Sequence, residues 1–269
     1  MRQKERPHQP FAESYVDTHV HFASIDSPGN KKHPRKLLHK AQALGIDWVA
    51  ISDHGKMTGV PRMTRLAKKY EIGIIPAFEG YSFVPQKRVA FSLPGLPTIQ
   101  IVPQMPHVVA LMDSIEKVPF ARSVEYFGEY VHKKGGILIA AHPKSGGDFE
   151  SLAPEQVVDY FKQGHIDAVE TKSRGSCIYD MEMLADRYNI PQVGSSDSHR
   201  VDPRINRIGR SLYSYFGTSA TGITVPVYTS KDVIRAIKNN NCFAIEDITQ
   251  ARQTIVFSRD DENIPRRRA

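Results

Sequence analysis

In the run YVDTHVHF, residues 15–22, two histidines stand two positions apart where a short β-like stretch ends, at His19 and His21. The same residue types recur where later β-like runs end. Asp53 and His54 close VAISDHG, Glu79 falls in IIPAFEGYS, His142 in ILIAAHPKSGG, Glu170 in DAVETKS, and Asp197 with His199 in QVGSSDSHR. Imidazole nitrogen and carboxylate oxygen are the donors that zinc, manganese and iron accept. A lone histidine at a strand end is usually satisfied by hydrogen bonds from its neighbours. The recurrence of two donor types at every one of these ends points instead to a shared divalent-metal site. Residues i and i+2 of a strand face the same side, so His19 with His21, and Asp197 with His199, can each address one cation.

Such a site needs strands whose C-terminal ends open on one rim, and the chain is patterned for that. SYVDTHV is followed by RKLLHKAQALG, in which Leu37, Leu38, Ala41 and Leu44 share a helical face. Gly45 stops that helix, and IDWVAIS is the next strand. PRMTRLAKKY and IGIIPAF repeat the order, with Pro61 suited to a first helical turn. From Gly80 to Val118 the rhythm changes: Pro94, Pro97, Pro103 and Pro106 mark a hairpin or loop insert that ends in the strand HVVALM. Alternation then resumes through SVEYFGEYVHKKGG and ILIAA, APEQVVDYFKQG and IDAVET, YDMEMLADRYN and IPQVGSS, and finally SKDVIRAIKNN and CFAI.

Strands that are apolar throughout, joined by helices, predict an α/β fold with a parallel sheet buried on both faces. About seven such units favour a closed barrel, with an open sheet as the alternative. His107 begins HVVALM rather than ending it. It reaches the rim that carries Glu79 if that strand runs antiparallel to its neighbour. His8, His33, His39, His132 and His165 fall in the tail, loops or helical segments and read as surface residues.

Bulk properties exclude several classes. With 40% hydrophobic and 24% charged residues among 269, the composition is that of an ordinary globular protein. No run of 18 apolar residues occurs, which excludes a membrane-spanning helix, and MRQKERPHQPFAES lacks the apolar core of a signal peptide. Two cysteines, Cys177 and Cys242, make neither a disulfide framework nor a cysteine-rich zinc site, so a reducing, cytoplasmic location is expected. Cys177 reads as a small buried thiol. No Gly-x-Gly-x-x-Gly or Walker loop is present, and no Ser/His/Asp nucleophile signature competes with a metal mechanism. Thirty-six Lys and Arg against 29 Asp and Glu give a net charge of +7, which concentrates anions near the surface. Residues 1–13 read as a flexible tail, 14–250 as the barrel domain, and 251–269, with RDDENIPRRRA, as a mobile charged tail.

In order, DTHVHF, SDHG, FEGYS, PHVVAL, AHPKSGG and SSDSHR resemble the PHP (polymerase and histidinol phosphatase) superfamily, over a stretch from Tyr15 to Ile245. The resemblance implies a distorted (β/α)7 barrel holding two or three divalent ions (Zn, Mn or Fe) at its rim, and hydrolysis of phosphoesters. Carried over by position, His19, His21, Glu79 and Asp197 would bind a first metal. Glu79 would bridge to a second, held by His107 and His142. Asp26, His54 and His199 would bind a third; Asp26, in HFASID, is named by the resemblance alone. Asp53 is expected to orient an imidazole from behind the ligands, and Glu170 has no ligand role in the pattern, which leaves it a structural part at the rim.

Clustered divalent ions acidify water and hold phosphoryl oxygens. Lys144, Arg174 and Arg200 lie beside strand ends as anion-binding candidates, and the two guanidinium groups rank first because they can grip phosphate through paired hydrogen bonds. The expectation is a metal-dependent phosphoesterase whose charge is compatible with a nucleotide or the end of a short nucleic acid. A histidinol-phosphate-type phosphomonoesterase is the alternative substrate reading. A non-catalytic barrel that binds nucleic acid or protein is the alternative class, and metal-dependent amide hydrolysis a third possibility.

Overall fold

The computed structural model describes residues 11–23, 27–84, 90–93, 96–99, 104–144, 147, 149–174, 176–201 and 215–248. Residues 1–10 of the expected N-terminal tail, Asp26 and the whole expected C-terminal tail lie outside the described residues.

The first part of the chain forms β1 (Ser14–Val20), α1 (Pro28–Lys32), α2 (Pro34–Leu44), β2 (Trp48–Ile51), α3 (Val60–Ala67) and β3 (Gly73–Phe83). The proline-marked insert holds a hairpin of β4 (Ala90–Leu93) and β5 (Leu96–Ile99), then β6 (His107–Leu111) and the short β7 (Arg122–Ser123). There follow α4 (Val124–Lys133), β8 (Ile137–Ala140), α5 (Pro154–Lys162), β9 (Ala168–Ser173), β10 (Ser176–Cys177), α6 (Tyr179–Tyr188) and β11 (Gln192–Ser195). The last elements are β12 (Ala220–Ile223), α7 (Ser230–Lys238) and β13 (Cys242–Ile245). Local chemistry sets the helix ends. Pro34 sits in the first turn of α2 and Gly45 ends it at φ 61°, while Thr229 and Asp232 cap the start of α7 reciprocally.

Seven strands form the wall. β1, β2 and β3 pair in parallel, β6 runs antiparallel between β3 and β8, and β8, β9 and β11 are again parallel. The ring is nearly closed where Val20 bridges Ser198 and the His21 amide donates to the Ser198 carbonyl at 3.0 Å. The expected α/β, distorted (β/α)7 barrel is the observed fold, and the reversed strand is the one that begins with His107.

Two apolar layers flank this wall. One joins the outward faces of the strands to helices α2 to α6 through residues such as Leu37, Met63, Phe127, Val157 and Met181. The other fills the barrel with Val16, Ala50, Ile75, Ala77, Val109, Leu111, Ile137, Ile139, Ala168 and Val193, and is completed by Val233, Ile234 and Ile237 of α7. Counting by twos from this inner set leads to the polar rim: Ile75 and Ala77 continue to Glu79, Leu111 and Val109 to His107, Ala168 to Glu170, and Val193 to Asp197.

Strand β1 breaks this parity. Val16 belongs to the inner layer and Val20 to the outer one, and the pairing with β2 shifts register between Asp17 and Val20. The irregularity turns His19 and His21 to the inside, as bulges beside active sites do.

At Gly194 of β11 the backbone runs close to that of two neighbouring strands. A Cβ there would overlap the Ala220 carbonyl oxygen and stand 3.0 Å from the Ile245 amide nitrogen. Main chain cannot yield as a side chain can, so Gly194→Ala should cost about 3 kcal/mol, the upper end of overpacking penalties. Urea unfolding reads this as a lower midpoint at unchanged slope; an unaltered midpoint would show that the strands part freely.

Candidate metal centre

Glu79 is the hub of the rim; it lies inside β3, which runs on four residues past it to Phe83 rather than ending there as expected. The residue is 1% exposed, and five histidines surround its carboxylate. Oε1 lies 2.8 Å from His107 Nδ1, 3.3 Å from His19 Nε2 and 3.5 Å from His142 Nε2. Oε2 lies 2.8 Å from His54 Nδ1 and 3.3 Å from His21 Nε2. Despite these distances, neither buried oxygen accepts a hydrogen bond of acceptable geometry. Ring nitrogens thus crowd both oxygens of one buried carboxylate. The nitrogen–oxygen donor set is that of a zinc, manganese or iron site, and the residues fit such ions.

Asp197 completes the cluster beyond β11. Its Oδ1 is 3.2 Å from His21 Nε2 and 3.5 Å from His19 Nε2, which are themselves 3.1 Å apart. His199 Nδ1 is 3.7 Å from the same oxygen, and its ring stacks on His21 with centroids 4.2 Å apart. Three groups bring one ligand atom from each member within 4.8 Å of the others: His19, His21 and Asp197; His54, Glu79 and His107; and His21, His54 and His199. His142 and Asp197, with φ of 29° and 46°, adopt left-handed backbone just past their strands, as does Arg174 at 55°. Such conformations are uncommon outside glycine and collect at functional sites.

Supporting contacts fix the ligand atoms. Glu170 is fully buried; its Oε1 lies 2.9 Å from His19 Nδ1 and accepts from Ser195 Oγ, while Oε2 accepts the His142 amide. A proton on Nδ1 held by Glu170 leaves Nε2 as the metal-facing lone pair. Asp17 accepts the Ser196 amide at 3.0 Å and its hydroxyl at 2.5 Å, which anchors the turn carrying Asp197. Burial pushes Asp17 up to about 7, against the opposing pull of these Ser196 hydrogen bonds.

Charge balance at the centre is tight. Burial raises Glu79, but the His107 and His19 charges outweigh it and hold the carboxyl well below its usual range. Asp197 is likewise raised by burial and driven well below its usual value by His19, His21 and Arg174. Burial lowers His19, yet Asp197, Glu79 and Glu170 lift it well above 6.5, and His21 is raised by Asp197 and Glu79 against the same burial.

Without metal, imidazole protons therefore supply the countercharge. Depressed carboxylates contribute stability above their unfolded values near 4, lost as pH falls through the folded values. Raised histidines contribute stability below about 6.5, lost as pH rises through their folded values. Chelator-treated protein should be most stable at weakly acidic pH and lose Tm toward alkaline pH, where added Mn²⁺ or Zn²⁺ should restore it. Thermal scans across pH test this competition; a metal effect of equal size at every pH would overturn it.

The structure thus brings together His19, His21, His54, Glu79, His107, His142, Asp197 and His199, whereas Asp26 lies outside the described residues. The other expected residues have the following contacts. Asp53 accepts the backbone amides of Phe22 and Ala23 at 2.7 and 2.6 Å, holding the chain just after His21, where an imidazole partner was expected. Arg174 donates from Nε to Asp197 Oδ2 at 2.6 Å and pairs with it through Nη2, so its first partner is a rim carboxylate; its side chain remains half exposed. Arg200 bridges Tyr215 through its backbone directly after His199, and Lys144 stands exposed on the loop after β8. Asp17, Ser196 and Tyr81, whose ring stacks on His54 with centroids 5.3 Å apart, were not singled out from sequence. Asp17 lies inside the DTHVH run, two residues before His19, which is the one signal that could have marked it.

Residues 17–172 match the PHP domain family. The uncharacterized protein MJ1587 of Methanocaldococcus jannaschii is 25% identical over 138 residues, covering 48% of this chain and 68% of that protein. A two-domain protein from Bacteroides vulgatus, described as containing a predicted PHP-like metal-dependent phosphoesterase, superposes with a TM-score of 0.56 at 16% identity, over 91% of this chain and 69% of that one. A candidate metal-dependent phosphoesterase from Bifidobacterium adolescentis gives 0.55 at 16% identity, over 87% and 98%. Endonuclease Q, in complex with a 27-mer duplex that places an abasic lesion at its active site, gives 0.52 at 15% identity, over 84% and 56%. These likenesses are of fold. Among the described residues no helix is long and apolar enough to cross a membrane.

Proposed function

The chain belongs to the PHP domain family, and from that premise we propose that it is a metal-dependent phosphoesterase acting on a nucleotide or the end of an oligonucleotide. The observation that carries this reading is the Glu79 carboxylate, buried, without hydrogen bonds, and faced by different histidines at each oxygen. That is the disposition of a bridging ligand. His19, His21, Glu79 and Asp197 would hold one ion, Glu79, His107 and His142 a second, and His54 with His199 and Asp26 a third. Bound divalent ions would acidify water and neutralise phosphoryl oxygens.

The remaining residues orient and bind. Glu170 fixes the His19 tautomer, Asp17 and Arg174 hold the two sides of the Asp197 turn, and Asp53 holds the chain after His21. Arg174, half exposed beside Asp197, would with Arg200 and Lys144 meet phosphate charge that the metals leave uncompensated. Nucleic acid is favoured among phosphate esters by the chain's net charge of +7. The fold shared with Endonuclease Q, whose structure holds a 27-mer duplex substrate, is compatible with that substrate class.

The test is hydrolysis of a nitrophenyl phosphodiester, a nitrophenyl phosphomonoester and an oligonucleotide by chelator-treated protein, before and after Mn²⁺ or Zn²⁺ is restored. Metal-stimulated cleavage is expected, with the diester or the oligonucleotide preferred over the monoester. A preference for the monoester would move the reading to phosphomonoester hydrolysis, and no metal-stimulated cleavage of any ester would sink it.

A further inference from the structure

The basic residues of this chain are not evenly spread. Residues 27–44 and 55–70 contain ten Lys and Arg and no Asp or Glu, which leaves 26 cations against 29 acids in the rest. The whole positive excess therefore sits on α1, α2, α3 and their flanks. Between them lies a groove of about 620 Å³ lined by Lys32, His33, Arg35, Lys36, Arg62 and Arg65, every one of them exposed. Among the described residues no ion pair engages Lys32, Arg35, Arg62 or Arg65. Like charges gathered without acids repel one another, and an anion in the groove relieves that repulsion. The N-terminus of the 11-residue α2, at Pro34, opens on the same space and adds the positive end of a helix dipole.

This groove adjoins the metal centre through covalent and packed neighbours. Phe22 follows His21 directly, and the Arg62 guanidinium lies over its ring at 5.5 Å from the centroid. At the head of α3, a Cβ on Gly59 would stand 2.6 Å from Asp53 Oδ2 and 2.8 Å from Phe22 Cδ1, so the helix is pressed against the residues that hold the His21 loop. A small phosphate ester would fill the rim alone. A polymer with a phosphate at every unit would occupy both places.

We propose that the groove between α2 and α3 binds the phosphate backbone of a polynucleotide strand whose end lies at the metal centre. The inference rests on the phosphoesterase reading for its substrate, but its binding step is measurable without turnover. The probe is a fluorescein-labelled single strand of about 20 nucleotides, titrated by anisotropy in excess chelator between roughly 50 and 200 mM salt. The combined variant Lys32→Gln, Arg35→Gln, Arg62→Gln and Arg65→Gln should raise Kd at the lower salt by more than about 30-fold. It should also flatten the slope of log K against log salt by about 3, since each lost phosphate contact on a single strand contributes roughly 0.7. With metal restored, its KM for the oligonucleotide should rise while kcat/KM for the nitrophenyl diester stays at the wild-type value. Lys162→Gln with Arg187→Gln, exposed on α5 and α6, is the control for bulk charge.

Wild-type Kd and slope in the fourfold variant would overturn the proposal. So would an equal loss in the control, or wild-type affinity for phosphatidylserine vesicles with none for the oligonucleotide. Loss of strand binding in the fourfold variant, with no ester turned over by the wild type, would support the groove and sink the phosphoesterase reading alone.

Discussion

Glu79→Gln protein should fold, lose most of its bound divalent metal and show hydrolysis reduced by more than about 10³-fold, beyond the roughly 10²–10³ typical of removing one preorganised electrostatic group. The amide keeps the side chain's volume, so the wall between β3 and β6 stays packed. It removes the negative charge from a position that five histidine nitrogens face. It also places an NH₂ donor where two acceptor oxygens stood, and that donor can hydrogen-bond a ring nitrogen such as His107 Nδ1 or His54 Nδ1 and withdraw it from a cation. Because Glu79 faces both candidate ion positions, one substitution should empty both. Elemental analysis of dialysed protein gives the metal content, and circular dichroism establishes that the fold persists. Full metal occupancy in this variant would end the bridging assignment.

Replacement of Glu170 by Ala should act through other residues. The His142 amide, the Ser195 hydroxyl and the His19 Nδ1 proton all lose their acceptor in a fully buried place. Each stranded buried group costs about 1–3 kcal/mol, so the metal-free variant should lose several kcal/mol. Freed from Glu170, His19 no longer presents Nε2 in a fixed tautomer, and metal affinity should fall by about 10–100-fold, as for other partners of ligand histidines. Glu170→Gln keeps an acceptor and should recover much of the stability. It should also lower the pH at which metal binding sets in, because one of the three carboxylate charges that lift His19, after those of Asp197 and Glu79, is gone. A Glu170→Ala chain with normal metal affinity and an unmoved pH profile would mark the residue as packing alone.

Much of this architecture was legible in the sequence, for identifiable reasons. The seven wall strands announced themselves because strands buried on both faces are apolar throughout, although Glu79 and Glu170, read as strand ends, lie inside β3 and β9. Even the reversed strand was readable as a condition: His107 could meet Glu79 only if HVVALM ran backward, and Tyr81 pairs with His107 in that sense.

What escaped was set by tertiary geometry. Plain alternation along β1 gave His19 and His21 a common side but could not say which. The register shift after Asp17 points them inward, and no residue type in DTHV advertises it. Glu170 was noticed at its strand end, but its work on His19 joins positions 151 residues apart. Asp53 is expected from sequence to orient an imidazole, and nothing local marks the reach of its Oδ1 to the amides of Phe22 and Ala23, 31 and 30 residues back. Arg174 is expected from sequence to bind an anion, and nothing local marks its contact with Asp197, 23 residues on.

The plug formed by Val233, Ile234 and Ile237 has a consequence for traffic. With apolar side chains stoppering the cylinder from below, the cup is blind, and nothing can thread through it. On the proposed function, a cleaved ester would have to leave by the mouth through which it entered, so product and incoming substrate would compete for it. If the chain cuts a polynucleotide as proposed, release of the shortened product, rather than passage through a pore, would govern how many cuts follow a single encounter.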